Sequence, residues 1–178
     1  MSRTVFNSLL VVVSAVLLGG CGLMQSVTEA TSSTAKTVFY KQVKDLHLDF
    51  SGRAAANTDA TNMNALSVPT LVRVYQLRDS KGFERASYDK LLGKDDDVLI
   101  GDVLDKRSVV VKPEQGAQLN VPLDKDTQFV AVVGLFRQPD NQTNTWRLTL
   151  TRDELDPDRA RLIELGDNQL TLRPLVKD

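Results

Sequence analysis

Cysteine is nearly absent from this sequence: among 178 residues there is one, Cys21. No internal disulfide can form, and a zinc site built on clustered thiolates is excluded. Histidine is equally scarce. His47 is the single imidazole, so any Ser-His-Asp triad would have to use it, and no Gly-x-Ser-x-Gly elbow accompanies it. An excess of one charge sign is also missing. Lys and Arg total 22 against 23 Asp and Glu, a formal net charge of -1. That balance removes the electrostatic case for nucleic acid and for attraction to an anionic lipid surface. Finally, no apolar run approaches the roughly 20 residues that a membrane-spanning helix needs.

What is present begins at the N-terminus. Arg3 gives a positive start, Leu9 to Leu18 an apolar stretch, and Gly19-Gly20 the small residues before Cys21. A stretch of about ten apolar residues suits a signal-peptide core. Leu18-Gly19-Gly20-Cys21 matches the bacterial lipobox, in which the thiol accepts diacylglycerol and small neighbours let a peptidase reach the backbone. Residues 1–20 are therefore expected to be a lipoprotein signal peptide, and Cys21 to carry a covalent diacylglycerol and an N-acyl lipid. More than one acyl chain makes a firm anchor, since each buried CH₂ adds about 0.8 kcal/mol. Gly22, not Asp, follows the cysteine, which points to the outer membrane, periplasmic face. Residues 21–37 are rich in small polar side chains without apolar periodicity and read as a stalk. The folded domain is expected over residues 38–178.

Within that domain the dominant signal is period two. Leu46, Leu48 and Phe50 alternate with Asp45, His47 and Asp49, a strand with one buried face. Residues 53–67, rich in Ala, Asn and Thr, read as an exposed loop, long for a strand connection and hence a candidate recognition surface. A second strand is expected over Val68–Leu77. Phe83, Ser87, Tyr88, Leu91 and Leu92 recur at helical spacing, predicting one short helix, and Lys94-Asp95-Asp96-Asp97 reads as a solvated charged loop. Strands follow around Ser108–Val111, Leu119–Val121, Phe129–Phe136 and Trp146–Thr151. Phe129–Phe136 is the candidate central strand buried on both faces. A closing hairpin is expected around Gly166-Asp167. About eight strands with one inserted helix predict an all-β, two-sheet β-sandwich. Its core is expected to draw on Leu48, Phe50, Val74, Phe129, Ala131, Val133, Leu135, Trp146, Leu148 and Leu172.

Chemistry is sparse. Asp45, His47 and Asp49 lie i, i+2, i+4 on one strand face, which fits a solvated face better than a metal site, because zinc favours more His or Cys than this chain offers. The acidic run at Asp95–Asp97 lacks the alternate spacing and closing Glu of a calcium loop. No catalytic residue and no metal site is assigned.

These pieces together resemble the TssJ (SciN) family, the outer-membrane lipoproteins of the type VI secretion system. The resemblance rests on the lipobox, the stalk, the strand ending Leu46-His47-Leu48-Asp49-Phe50, the long loop, and the pattern Pro-x-x-Val-Arg-x-Tyr-Gln-Leu over Pro69–Leu77. The helix holding Phe83 and Tyr88-Asp89-Lys90-Leu91-Leu92 continues it. The resemblance implies a transthyretin-like sandwich and a non-enzymatic anchor. Such an anchor binds the periplasmic C-terminal domain of TssM, in a membrane complex that also contains TssL. It places partner binding on the loop between the first two strands, here Asn57, Thr58, Asp59, Ala60, Thr61, Asn62, Met63 and Asn64. The competing reading is a periplasmic lipoprotein that binds a small ligand in a concave apolar pocket.

Overall fold

A computed structural model describes residues 43–59 and 66–175 of the chain. Eight strands form two four-stranded sheets, ordered β4-β1-β7-β8 (sheet A) and β3-β2-β5-β6 (sheet B), the two-sheet sandwich that the alternation predicts. Between β2 and β3 the chain makes three short helices in place of one.

In sheet A, β1 (Asp45–Gly52) is central. It pairs antiparallel with β4 (Gly116–Pro122) and parallel with β7 (Arg161–Gly166). Leu46, Leu48 and Phe50 are buried, as period-two alternation requires of a strand with one inner face. The β7–β8 hairpin (β8, Gln169–Leu172) pairs Gly166 with Gln169, so its turn is Asp167-Asn168, one residue beyond the expected place. Both turn residues have positive φ, 51° and 59°. That is the two-residue turn whose twist suits a hairpin, and Asp and Asn tolerate the left-handed region.

In sheet B, β2 (Thr70–Leu77) lies between β3 (Val103–Val111) and β5 (Phe129–Leu135), and β6 (Arg147–Thr151) forms the far edge. Residues 130–134 of β5 are all buried, because both faces of sheet B are covered. Inward, Val72, Val74, Val130, Val132 and Leu150 meet Leu48, Phe50, Ile163 and Leu165 in one core. Gly134 serves that core by lacking a Cβ, which would stand 2.5 Å from the Phe136 ring. Of the ten expected core residues, Leu48, Phe50, Val74, Ala131, Val133 and Trp146 are buried, while Phe129, Leu135, Leu148 and Leu172 pack against the core half-buried.

The outer face of sheet B is roofed by α1 (Lys81–Arg85), α2 (Tyr88–Gly93) and α3 (Asp95–Val98). The single helix expected over Phe83–Leu92 breaks at Ala86 and Ser87, both extended. The cause lies on β6. The Arg147 guanidinium donates to the carbonyls of Phe83 (2.7 Å), Glu84 (2.7 Å) and Ala86 (2.9 Å), satisfying a helix end that would otherwise need to continue or be hydrated. Arg73 on β2 does the same for α2, donating to Leu91 and Leu92. Both arginines are register partners of Val133, so they leave sheet B in one row and on one face. Between them Tyr75, Phe83, Tyr88 and Leu91 are buried.

α3 replaces the expected charged loop, and Asp95 within it is buried. Its Oδ2 accepts from Tyr75 Oη (2.7 Å) and pairs with Lys106 (2.6 Å) and Arg73 (3.4 Å). Burial pushes this carboxyl up, but the Lys106 and Tyr75 hydrogen bonds and the Arg73 charge outweigh it and hold it below the usual carboxylate range. Burial, then Asp95, drives the Tyr75 hydroxyl far above its ordinary value, so it remains a donor.

Candidate functional site

The candidate loop leaves β1 at Gly52, whose missing side chain makes room for the backbone oxygen of Lys112. The ascending limb is then stitched to sheet A. Arg53 N donates to Leu165 O (2.8 Å), and Asp167 N donates to Ala55 O (2.7 Å). Ala56 is fully buried, and Asn57 is 2% exposed. The part of the loop that reads as open and polar in sequence is therefore its packed foot.

Asn57 closes the loop upon itself. Its backbone N donates to Ser67 Oγ (3.1 Å) and its carbonyl accepts from Val68 N (3.0 Å), while its side-chain Oδ1 accepts from Arg137 N (3.0 Å). Thr58 N donates to Asn168 Oδ1 (3.0 Å). Asp59 pairs with Arg137 (3.2 Å) and accepts from Gln138 Nε2. Residues 57 and 67 thus meet, in a neck held by the β5–β6 connection and the β7–β8 turn. Of the residues expected to bind a partner, Asn57 is turned inward, and Thr58 and Asp59 are half-buried in the neck. Ala60, Thr61, Asn62, Met63 and Asn64 lie outside the described residues, as does Cys21. Leu66, 71% exposed on the returning limb, carries a bulky apolar side chain into solvent, a candidate contact outside the expected span 57–64. Arg137, Gln138 and Asn168, which fix the foot, also escape a local reading, because they come from about 80 to 110 residues downstream.

Beside the foot lies an open depression of about 460 Å³ walled by Arg53, Glu164, Gln169, Thr171 and Arg173. Glu164 accepts from Arg53 (2.9 Å) and pairs with Arg173 (3.0 Å), and these two arginines, Arg53 foremost, lower its carboxyl pKa. Its lining mixes these charged and polar side chains with Ala54, Ala55 and Gly166, whereas small-ligand binding asks for a predominantly apolar pocket.

The other candidate groups sit apart from the loop. His47 lies on the outer face of sheet A with Nδ1 2.8 Å from Asn120 Oδ1. Among the described residues no cluster of three or more His, Cys, Asp or Glu side chains could hold a metal ion.

The foot of the loop and Val43, the first described residue, lie at opposite ends of β1. At the Val43 end, Arg152 donates to Val43 O (2.9 Å) and Thr127 O (2.8 Å). Buried Gln76 ties the sheets there by accepting from Asp124 N and Thr127 Oγ1 and donating to Pro122 O. The eight residues of β1 separate that end from Gly52, a distance of about 25 Å at strand rise.

Comparison with known proteins bears on this arrangement. The family profile T6SS-SciN, described as type VI secretion lipoprotein (VasD, EvfM, TssJ), matches residues 44–172. No curated protein matches the chain. Among solved structures, a chain of one described as "Type VI membrane complex" is 41% identical with a TM-score of 0.70. A chain of another, "T6SS protein TssM C-terminal domain (869-1107) from EAEC", is 39% identical with a TM-score of 0.67. In both cases 75% of this chain covers 100% of the other. Lip of Serratia marcescens, a membrane-bound component of the type VI secretion system, shares the fold at 22% identity and a TM-score of 0.65, over 75% of this chain and 100% of that one.

Proposed function

We propose, since this chain belongs to the type VI secretion lipoprotein family, that it is a non-enzymatic docking protein. Lipid on Cys21 holds it at the periplasmic face of the outer membrane. The loop above Asn57 binds the periplasmic C-terminal domain of TssM, within a membrane complex that also holds TssL.

The observation that carries this reading is the polarity of the domain. The chain arrives from the lipidation site at Val43, and the loop stands at the far end of β1. A tether joined at the Val43 end leaves the foot of the loop at the other end of β1, and confinement to the membrane layer raises its effective concentration for a partner reaching the same space. The foot is already ordered by the Asn57, Thr58 and Asp59 hydrogen bonds, which lowers the entropic cost of binding. Leu66 adds apolar area at the rim.

The relatives support the partner. In the structure named for the TssM C-terminal domain, the chain that resembles this one is wholly covered by three quarters of these 178 residues. That structure's name and its 39% identity to this chain support TssM as the partner. The scarcity of catalytic groups supports the non-enzymatic reading. The one histidine contacts the Asn120 amide on the outer face of sheet A.

The test is co-isolation of the full chain with the TssM periplasmic domain from cell envelopes. The parent chain should bring TssM down from the membrane fraction. Cys21→Ser should move the chain to the soluble periplasmic fraction and abolish the assembled complex. An unmodified thiol at position 21 by mass spectrometry, or a complex unaffected by Cys21→Ser, would contradict the reading.

A further inference from the structure

The four edge strands are guarded unequally. An edge offers a row of unpaired N–H and C=O groups, which proteins blunt with charge, brevity, bulges or cover. β3 carries Asp105, Lys106 and Arg107 in its middle, and β6 opens on Arg147. β8 has four residues, and its outward Leu170 N–H is taken by Thr145 O at 2.8 Å. Among the described residues β4 has none of these devices, and its one edge proline, Pro122, stands at its very end. It is seven residues long, Gly116–Pro122, without a charged side chain, and it pairs with β1 in unbroken register.

The register says which groups are open. Leu123 N donates to Lys44 O, and Gly52 N to Gln115 O. Antiparallel bonding alternates, so Ala117, Leu119 and Val121 turn their backbone groups to β1, while Gly116, Gln118 and Asn120 turn theirs outward. Among the described residues those outward groups have no partner. The side chains alternate too: residues 116, 118, 120 and 122 are exposed, and 117, 119 and 121 are half-buried against the core.

We infer that β4 pairs with β4 of a second copy, antiparallel about a two-fold axis at Leu119, joining the two copies of sheet A into one continuous sheet. The occupant is chosen by self-complementarity. About Leu119 the strand has the same chemistry in both directions: Leu119 faces Leu119, Ala117 faces Val121, and Gln118 faces Asn120. Each Gln118–Asn120 pair exchanges two backbone hydrogen bonds. Pro122, which lacks an N–H and whose carbonyl is held by Gln76 Nε2, ends the ladder there. The half-buried apolar side chains of both copies then extend one another's cores. Charge does not oppose the seam. Asp49 lies one strand in from β4, so the two copies of it stand three strand spacings apart, about 14 Å, beyond the screening length at physiological salt.

The experiment uses the full chain in its cell envelope. Leu119→Cys places two thiols in a non-hydrogen-bonded antiparallel pair, close enough for a disulfide. Mild oxidation should give a linked dimer well above the yield of the parent, which retains Cys21, and of Val110→Cys on the exposed β3 edge. Adding Gln118→Lys with Asn120→Lys sets like charges opposite each other without touching the β1 ladder. It should suppress the dimer while leaving thermal unfolding unchanged. Independently of the cysteine variant, sedimentation of the detergent-purified chain should show a dimer that this lysine pair converts to monomer. A monomeric parent, a dimer insensitive to the lysine pair, or Leu119→Cys linked to a different protein would overturn the inference, the last in favour of a foreign strand at the same edge.

Discussion

The two outer faces of the sandwich use the same residue types to different ends. On sheet B, Arg73, Arg147 and Asp95 lie beneath or against the helices, and the Arg73–Asp95 pair leaves side-chain exposures of only 19% and 9%. On sheet A, Asp45, His47, Asp49 and Glu164 lie on an open face, and Arg53 in its pair with Glu164 is 58% exposed. An ion pair in water contributes little, whereas one roofed by protein costs several kcal/mol to break, because the surviving partner is stranded. The face that is covered is the structural one, and the open face is free for contacts.

The largest effect expected from this contrast is at Arg147. Arg147→Ala removes the donors to three helix-end carbonyls and the cation stacked 4.9 Å from the Trp146 ring. It should destabilise the domain by about 3 kcal/mol in denaturant unfolding. Arg147→Lys should recover only part of that, since an ammonium cannot span three acceptors. A loss below about 0.5 kcal/mol would mean that the roof holds without its pin.

Next comes acid. The folded-state pKa of Asp95 is depressed below its ordinary 3.8. Its stabilisation is therefore complete above that unfolded value and disappears as pH falls through the folded one. Asp95→Asn should lower Tm at pH 7, and the gap from the parent should narrow steadily below about pH 4. A gap of constant size across that range would assign the loss to packing instead. Tyr88, with its hydroxyl pushed up to about 12 by burial and then by Asp89, stays a donor to Phe136 O throughout and should add nothing to the acid limb.

The smallest effect belongs to the open face. His47→Ala should change stability by less than about 0.5 kcal/mol and leave secretion intact. Loss of secretion without loss of TssM binding would revive a chemical role for the imidazole.

The strands of this fold were legible because their signal is local. Leu46, Leu48 and Phe50 announce β1 by alternation, and residues 129–135 announce a strand covered on both faces by continuous apolarity. The misreadings of the charged loop, the single helix and the loop's foot share one cause, a partner far along the chain. Asp95 looks like Asp96 and Asp97 until Tyr75 and Lys106, 20 and 11 residues away, are folded onto it. The helix break at Ala86 is imposed by Arg147, 61 residues downstream. The long loop was visible from its composition. That Asn57 would serve as its inward clasp was not, since Arg137 lies 80 residues on.

The central claim is that the loop, and not the open sheet, docks TssM. Titration of the TssM periplasmic domain with the full chain, in which residues 60–65 are replaced by Gly-Gly and the Asn57 neck is kept, tests it most directly. The account predicts affinity at least about tenfold weaker, roughly 1.4 kcal/mol, with Tm unchanged. Unaltered affinity in a folded, shortened chain would contradict it.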